Sequence, residues 1–157
     1  MISQTVRFGR GFAAMLVFAI LVGCAAEGPV SVPASDSKAD HAVAVALQQI
    51  GVPYRYGGST PVGFDCSGLV HYSYAQAGKT VPRTTATLWS GLQPVSASEM
   101  RAGDVLFFRI AGKMSHVALY IGGDEFVHAP SSGKVVSVGS LRSEFYDDAF
   151  VRAGRPN

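Results

Sequence analysis

The chain has 157 residues, of which 48% are hydrophobic and 15% charged, with a formal net charge of +2 and two cysteines. Arg7 and Arg10 belong to an N-terminal leader, and without them 11 basic residues face 11 acidic ones, so charge gives no argument for a nucleic-acid or acidic partner. The 134 residues from 24 to 157 suffice for one domain with a real core.

Residues 1–23 combine a basic start, an apolar run from Phe12 to Val22 and the ending Leu21-Val22-Gly23 before Cys24. That run is shorter than the roughly 20 residues of a membrane span and has the form of a secretory signal. A small residue before the cysteine is similar to the bacterial lipobox, which makes Cys24 the expected acylated N-terminus. Residues 24–39 are rich in Ala, Ser, Pro and Gly without apolar periodicity, and are expected to form a lipidated tether. Ala25 after the cysteine is the pattern that sorts Gram-negative lipoproteins to the outer membrane, so the expected location is the cell envelope, facing the periplasm. The catalytic domain is then expected over residues 40–157.

Val43, Ala46, Leu47 and Ile50 recur at helical spacing from Asp40, and Gly51 ends the pattern, predicting a first helix. Pro53 to Gly58 reads as a loop carrying two aromatics. Asp65 is an acceptable N-cap for a second helix, in which Leu69, Val70, Ser73 and Ala77 share the inward face with Cys66, and Gly78 is the stop. Thr84 to Leu92 predicts a short third helix. The texture then changes to short β-branched or aromatic runs at Val105–Phe108, His116–Ile121, Glu125–His128, Val135–Val138 and Ala149–Arg152. Helices first and strands second predict an α+β domain, with N-terminal helices packed on an antiparallel meander.

A lone internal thiol in an exported chain needs a reason to stay unpaired, and nucleophilic catalysis supplies one. A thiol attacks as thiolate, with an ordinary pKa of about 8.5, and the partial positive charge at a helix start is expected to lower that value for Cys66. Backbone N–H groups there also suit an oxyanion. Asp65 would oppose ionisation if it faced the sulfur, and is expected to cap the helix or to bind a substrate amine. Gly63 and Gly68 are expected to leave room for substrate backbone.

Of the four histidines, His41 has the setting of a solvated side chain, and His71 lies roughly 140° round the helix from Cys66. His116 and His128 flank a hairpin turning at Gly122-Gly123-Asp124. A three-residue loop pairs Ile121 with Glu125, puts Ala118 opposite His128, and sets His116 diagonal to it on the same face. A four-residue loop would put the imidazoles on opposite faces. On the first reading His116 is the base for Cys66 and His128 orients it.

Pro53-Tyr54-Arg55-Tyr56-Gly57-Gly58, Phe64-Asp65-Cys66-Ser67-Gly68-Leu69-Val70, Pro82-Arg83-Thr84-Thr85, Gly103 to Phe108, Ser115 to Gly122 and Phe126 to Ala129 together resemble the NlpC family of cell-wall cysteine peptidases. The layout is similar to its Spr-type murein endopeptidase lipoproteins. The resemblance implies a papain-like fold in which Cys66 is the nucleophile, His116 the base and His128 the third polar residue. It further implies that Tyr54 serves the oxyanion or the substrate, with Asp65, Ser67 and Ser115 as plausible substrate contacts. The implied substrates are peptidoglycan stem peptides, cut by a cycle that needs no metal or other cofactor. D-alanyl to diaminopimelate cross-links are favoured over γ-D-glutamyl bonds. Competing readings are a zinc site on Cys66, His116 and His128, a catalytically silent wall-binding lipoprotein, and an acyltransferase or amidase using the same thiol.

Overall fold

The computed structural model describes residues 37–157; the leader, Cys24 and most of the tether lie outside the described residues. The first described element is α1 (Ser37–Gln48), so the domain begins before residue 40, and Ala39, assigned to the tether, is buried in the first helical turn. The inward face of α1 also differs from expectation. Ala39, Ala42, Val45 and Ala46 are buried, whereas Leu47 and Ile50 are exposed. At Ala39 the approach is close: a Cβ on Gly103 would stand 2.5 Å from the Ala39 Cβ, so this position accepts a methyl group rather than a longer side chain.

A small hairpin of β1 (Ser59–Thr60) and β2 (Gly63–Phe64) precedes α2 (Cys66–Gln76), which starts where the Asp65 cap requires. Leu69, Val70 and Ser73 on α2 are fully buried, and the Ser73 hydroxyl is satisfied by the Leu69 carbonyl at 2.8 Å. Burying Leu69 and Val70 contributes about 2 kcal/mol each to holding α2 on the sheet. Gly78, at φ 72°, ends the helix as expected. Next comes α3 (Thr85–Gly91), which begins at a reciprocal capping box between Thr84 and Thr87.

The sheet has six antiparallel strands in the order β3 (Gln93–Val95), β8 (Phe150–Arg155), β4 (Val105–Ile110), β5 (Lys113–Gly122), β6 (Glu125–His128) and β7 (Ser137–Ser140). Only β4 to β7 form the expected meander. The last strand returns to pair with β4, and β3 adds to its far side. Val135 and Val136, expected to open a strand, instead bond to residues 51–53 beside α1. Ala149, expected in the last strand, closes the short helix α4 (Glu144–Ala149).

Strand alternation sends Phe107, Val117, Leu119 and Val127 toward α1, α2 and α3. Leu106, Phe108, Ala118, Tyr120 and Phe126 go to the other face, which Tyr146, Ala149 and Phe150 cover. Both faces of the sheet are therefore occupied, and the site forms where the start of α2 meets β5.

Candidate active site

Asp65 fixes the start of α2. Its Oδ1 accepts hydrogen bonds from the Gly68 amide at 2.6 Å, the Ser67 hydroxyl at 3.2 Å and Arg83 Nη1 at 2.9 Å. Its Oδ2 accepts from Arg83 Nη2 at 2.8 Å and from the Gly57 amide at 3.0 Å. Arg83 also donates to the Ser67 hydroxyl and to the Gly58 carbonyl. Although burial works against its charge, these hydrogen bonds and the Arg83 guanidinium hold the Asp65 carboxyl below the usual range. Of the two expectations for Asp65, the cap is the one the geometry realises. Ser67 is buried with its hydroxyl spent on Asp65 and Arg83, so neither side chain presents free polar atoms to a substrate.

The glycines serve the same cage. A Cβ on Gly68 would strike the Gly58 carbonyl oxygen, and one on Gly63 would stand 2.7 Å from the Arg55 Cβ. The room expected for substrate is filled by the chain itself. Arg83, passed over by sequence reasoning as a site residue, is the hub of the arrangement. Its signal was the Pro82-Arg83-Thr84-Thr85 segment, but the partners it binds meet only in three dimensions.

Cys66 is the first residue of α2 and is partly buried. Its Sγ lies 4.0 Å from the Thr85 hydroxyl and 4.0 Å from the Ser115 carbonyl oxygen. The amides of Val117 and Ser67 also act on the sulfur. The thiol thus meets β5 at the two residues flanking His116, while no hydrogen bond joins it to either histidine among the described residues. Burial pushes the Cys66 thiol up from its ordinary value, with the Asp65 charge adding to the rise. The Val117 and Ser67 amides and the Thr85 hydroxyl oppose that rise without overcoming it. This corrects the expected lowering: desolvation outweighs the helix start.

His116 and His128 are neighbours, with His116 Nε2 2.9 Å from His128 Nδ1 and the rings edge to face. The hairpin reaches this outcome by a different turn. Gly122, not Ile121, pairs with Glu125, and the two-residue turn Gly123-Asp124 has φ of 62° and 65°. A bulge between Tyr120 and Gly122 absorbs the remaining residue, restoring the pairing of Tyr120 with Phe126 and Leu119 with Val127.

Both histidines are buried against aromatic rings, His116 by Phe108 and His128 by Phe126 and Tyr146. Desolvation, with His128 as a second cause, lowers His116 to about 3; desolvation and Lys134 lower His128 to about 4. The resting pair is therefore a neutral thiol beside neutral imidazoles. With both rings neutral, a proton on His116 Nε2 directed at His128 Nδ1 leaves His116 Nδ1 as a lone-pair acceptor.

Tyr54 is half-buried, and its pKa is raised by burial and then by the charge that Cys66 carries once it has ionised. Its hydroxyl makes no hydrogen bond to another described residue. Ser115 is exposed at the rim. His71 binds the Val81 carbonyl at 2.8 Å, away from the thiol, and His41 is exposed. Among the described residues no three His, Cys, Asp or Glu side chains are gathered as metal ligands, and no helix is long and apolar enough to cross a membrane.

A thiol at a helix start, set against the strand that carries a paired histidine, defines the class of papain-like α+β domains. Within that class the chain belongs to the NlpC/P60 family, whose model matches residues 51–155. It is 38% identical over 141 residues to the murein DD-endopeptidase MepH of Escherichia coli, covering 83% of this chain and 52% of that protein. It is 40% identical over 114 residues to the bifunctional muramidase/DL-endopeptidase CwlT of Bacillus subtilis, covering 70% and 34%. The chain thus spans about half or less of these relatives. The NlpC/p60 domain of the peptidoglycan hydrolase SagA superposes with a TM-score of 0.65 at 38% identity, covering 74% of this chain and 97% of that one.

Proposed function

We propose that this domain is a cysteine endopeptidase that hydrolyses stem-peptide amide bonds of peptidoglycan, and that its preferred bond is the D-alanyl to diaminopimelate cross-link. The observation that carries the reading is the placement of Cys66 at the start of α2, against the backbone on both sides of His116, while His128 engages the far nitrogen of the His116 ring. The DD-endopeptidase name of MepH favours the cross-link. The DL-endopeptidase name of CwlT supports a γ-D-glutamyl cut as the second reading.

In the proposed cycle, rotation of the Cys66 side chain brings the thiol to His116 Nδ1. The raised thiol and lowered imidazole disfavour a standing ion pair, so the proton moves to His116 as sulfur attacks the carbonyl. His116 then protonates the leaving amine, and a thioester remains. His116 next takes a proton from water, whose oxygen attacks the thioester and returns the proton to sulfur on collapse. The Cys66 N–H and the Tyr54 hydroxyl serve the oxyanion. Ser115 contacts substrate at the rim, while Asp65, Ser67 and Arg83 hold the nucleophile in place.

Acylation of Cys24, supported by the lipobox-like leader, would hold the domain at the outer membrane facing the periplasm. Fractionation of the wild type and Cys24→Ala tests this, since a soluble wild type would refute it. The activity is tested by digesting purified cross-linked muropeptides and weighing the products. Conversion of dimers to monomers by the wild type and not by Cys66→Ser is expected. Shortened stems would select the γ-glutamyl cut, and identical products from the two proteins would end the peptidase reading.

A further inference from the structure

A cleft lies in the loop that leads to the nucleophile. Arg55, Tyr56, Ser59 and Thr60, with three glycines, line a cleft of about 320 Å³. The cleft wall is tied to the start of α2 at two points. The Gly57 amide donates to Asp65 at 3.0 Å, and the Gly58 carbonyl accepts from the Asp65 amide at 3.0 Å and from Arg83 at 3.1 Å. Any group seated there is held at a fixed offset from Cys66, the residue after Asp65.

The charge in the cleft is uncompensated. Arg83, Arg142 and Arg155 each sit in an ion pair, with Asp65, Asp124 and Asp104. The Arg55 guanidinium has neither an ion pair nor a hydrogen bond among the described residues, although its backbone is fixed by bonds to Phe64 and Gly58. Its aliphatic stem lies across Gly63, where a Cβ would stand 2.7 Å from Arg55 Cβ and 3.4 Å from Cδ. Asp65, the nearest carboxylate in sequence, is already neutralised by Arg83. What is left is one guanidinium with tyrosyl, seryl and threonyl residues at an open concave surface, a donor set matched to a planar carboxylate.

We propose that this cleft is a carboxylate subsite, in which Arg55 binds a free carboxylate of the stem peptide and discriminates against stems in which that group is amidated. The inference rests on the stem-peptide reading of the substrate. A peptide joined through the side chain of glutamate keeps its α-carboxylate free, and diaminopimelate carries a further carboxylate at the end of its side chain, so such stems present the required group.

The test is calorimetric binding of a stem tetrapeptide, as free acid and with its carboxylates amidated, to the full chain carrying Cys66→Ala. The free acid is expected to bind about tenfold more tightly than the amide, as one charge-assisted contact gives. Arg55→Gln is expected to remove that preference, and Arg55→Lys to retain part of it. Equal affinity of the two peptides for the chain with Arg55 intact would overturn the proposal, as would a preference that survives Arg55→Gln. A wild type that binds with this preference but leaves cross-linked muropeptides uncut would refute the peptidase reading while leaving the subsite standing.

Discussion

Around the start of α2, Asp65, Arg83, Ser67 and the Gly58 carbonyl place charged and polar groups where each meets a partner of opposite character. Around His116 and His128 stand Phe108, Phe126 and Tyr146, and among the described residues the hydrogen-bond partner of each ring is the other ring. The first region uses charge to fix a backbone position. The second uses the removal of water to set a protonation state. Charge stays where its partners are rigid, and neutrality is imposed where a proton has to move.

The sharpest way to break this contrast is to remove the proton acceptor. His116→Ala is expected to lower kcat on cross-linked muropeptides by about 10³-fold, and steady-state kinetics on purified dimers would show it. Retained activity would mean that the neutral pair is not the proton-transfer element.

Acidification should act selectively on the histidine region. The unfolded chain takes up protons on these residues as the pH falls through 6.5, while the folded chain refuses them until about 3 to 4. Stability is therefore nearly complete above pH 7 and declines below 6.5, to about 4 kcal/mol under that plateau at pH 5. Urea denaturation across pH should show the decline, and a His116→Gln, His128→Gln double variant should lose most of it. Over the same range kcat/KM should show no acid limb near 6.5, since His116 stays neutral in the folded protein.

Arg83→Met probes the charged region. Removing one partner of a largely enclosed pair strands the Asp65 carboxylate, at a cost of about 3 kcal/mol in urea unfolding. Arg83→Lys should recover only part of it, because a lysine cannot span both carboxylate oxygens, Ser67 and the Gly58 carbonyl at once. The smallest expected effect is on the thiol. Alkylation of Cys66 by iodoacetamide should rise with pH through a midpoint above that of an ordinary cysteine, as its burial requires; a midpoint below 8 would restore the helix start as the dominant influence.

Local signals made much of this legible in the sequence. The Asp65 cap, the apolar spacing of α2 and its glycine stop act within a few residues of each other, so the placement of Cys66 could be read directly. The buried face of α1 could not. Leu47 and Ile50 are the stronger hydrophobes, but the face turned inward is that of Ala39, Ala42, Val45 and Ala46, where small side chains allow close approach. Arg83 escaped notice because its partners come from two other segments, and the return of β8 to β4 leaves no mark within β8. The raised thiol pKa was hidden for the same reason, since desolvation is a property of the assembled site.

The bulge at Ile121 lets the hairpin carry an odd residue at no cost to its register. Because strand faces alternate, the pairing of Tyr120 with Phe126 decides on which side of the sheet His128 emerges. Deleting the codon for Ile121 would leave Gly122 opposite Glu125 and Tyr120 opposite Phe126, so His128 would keep its side and its place beside His116. The register of the ladder, and not the number of residues in the turn, is therefore what the histidine pair requires of this hairpin.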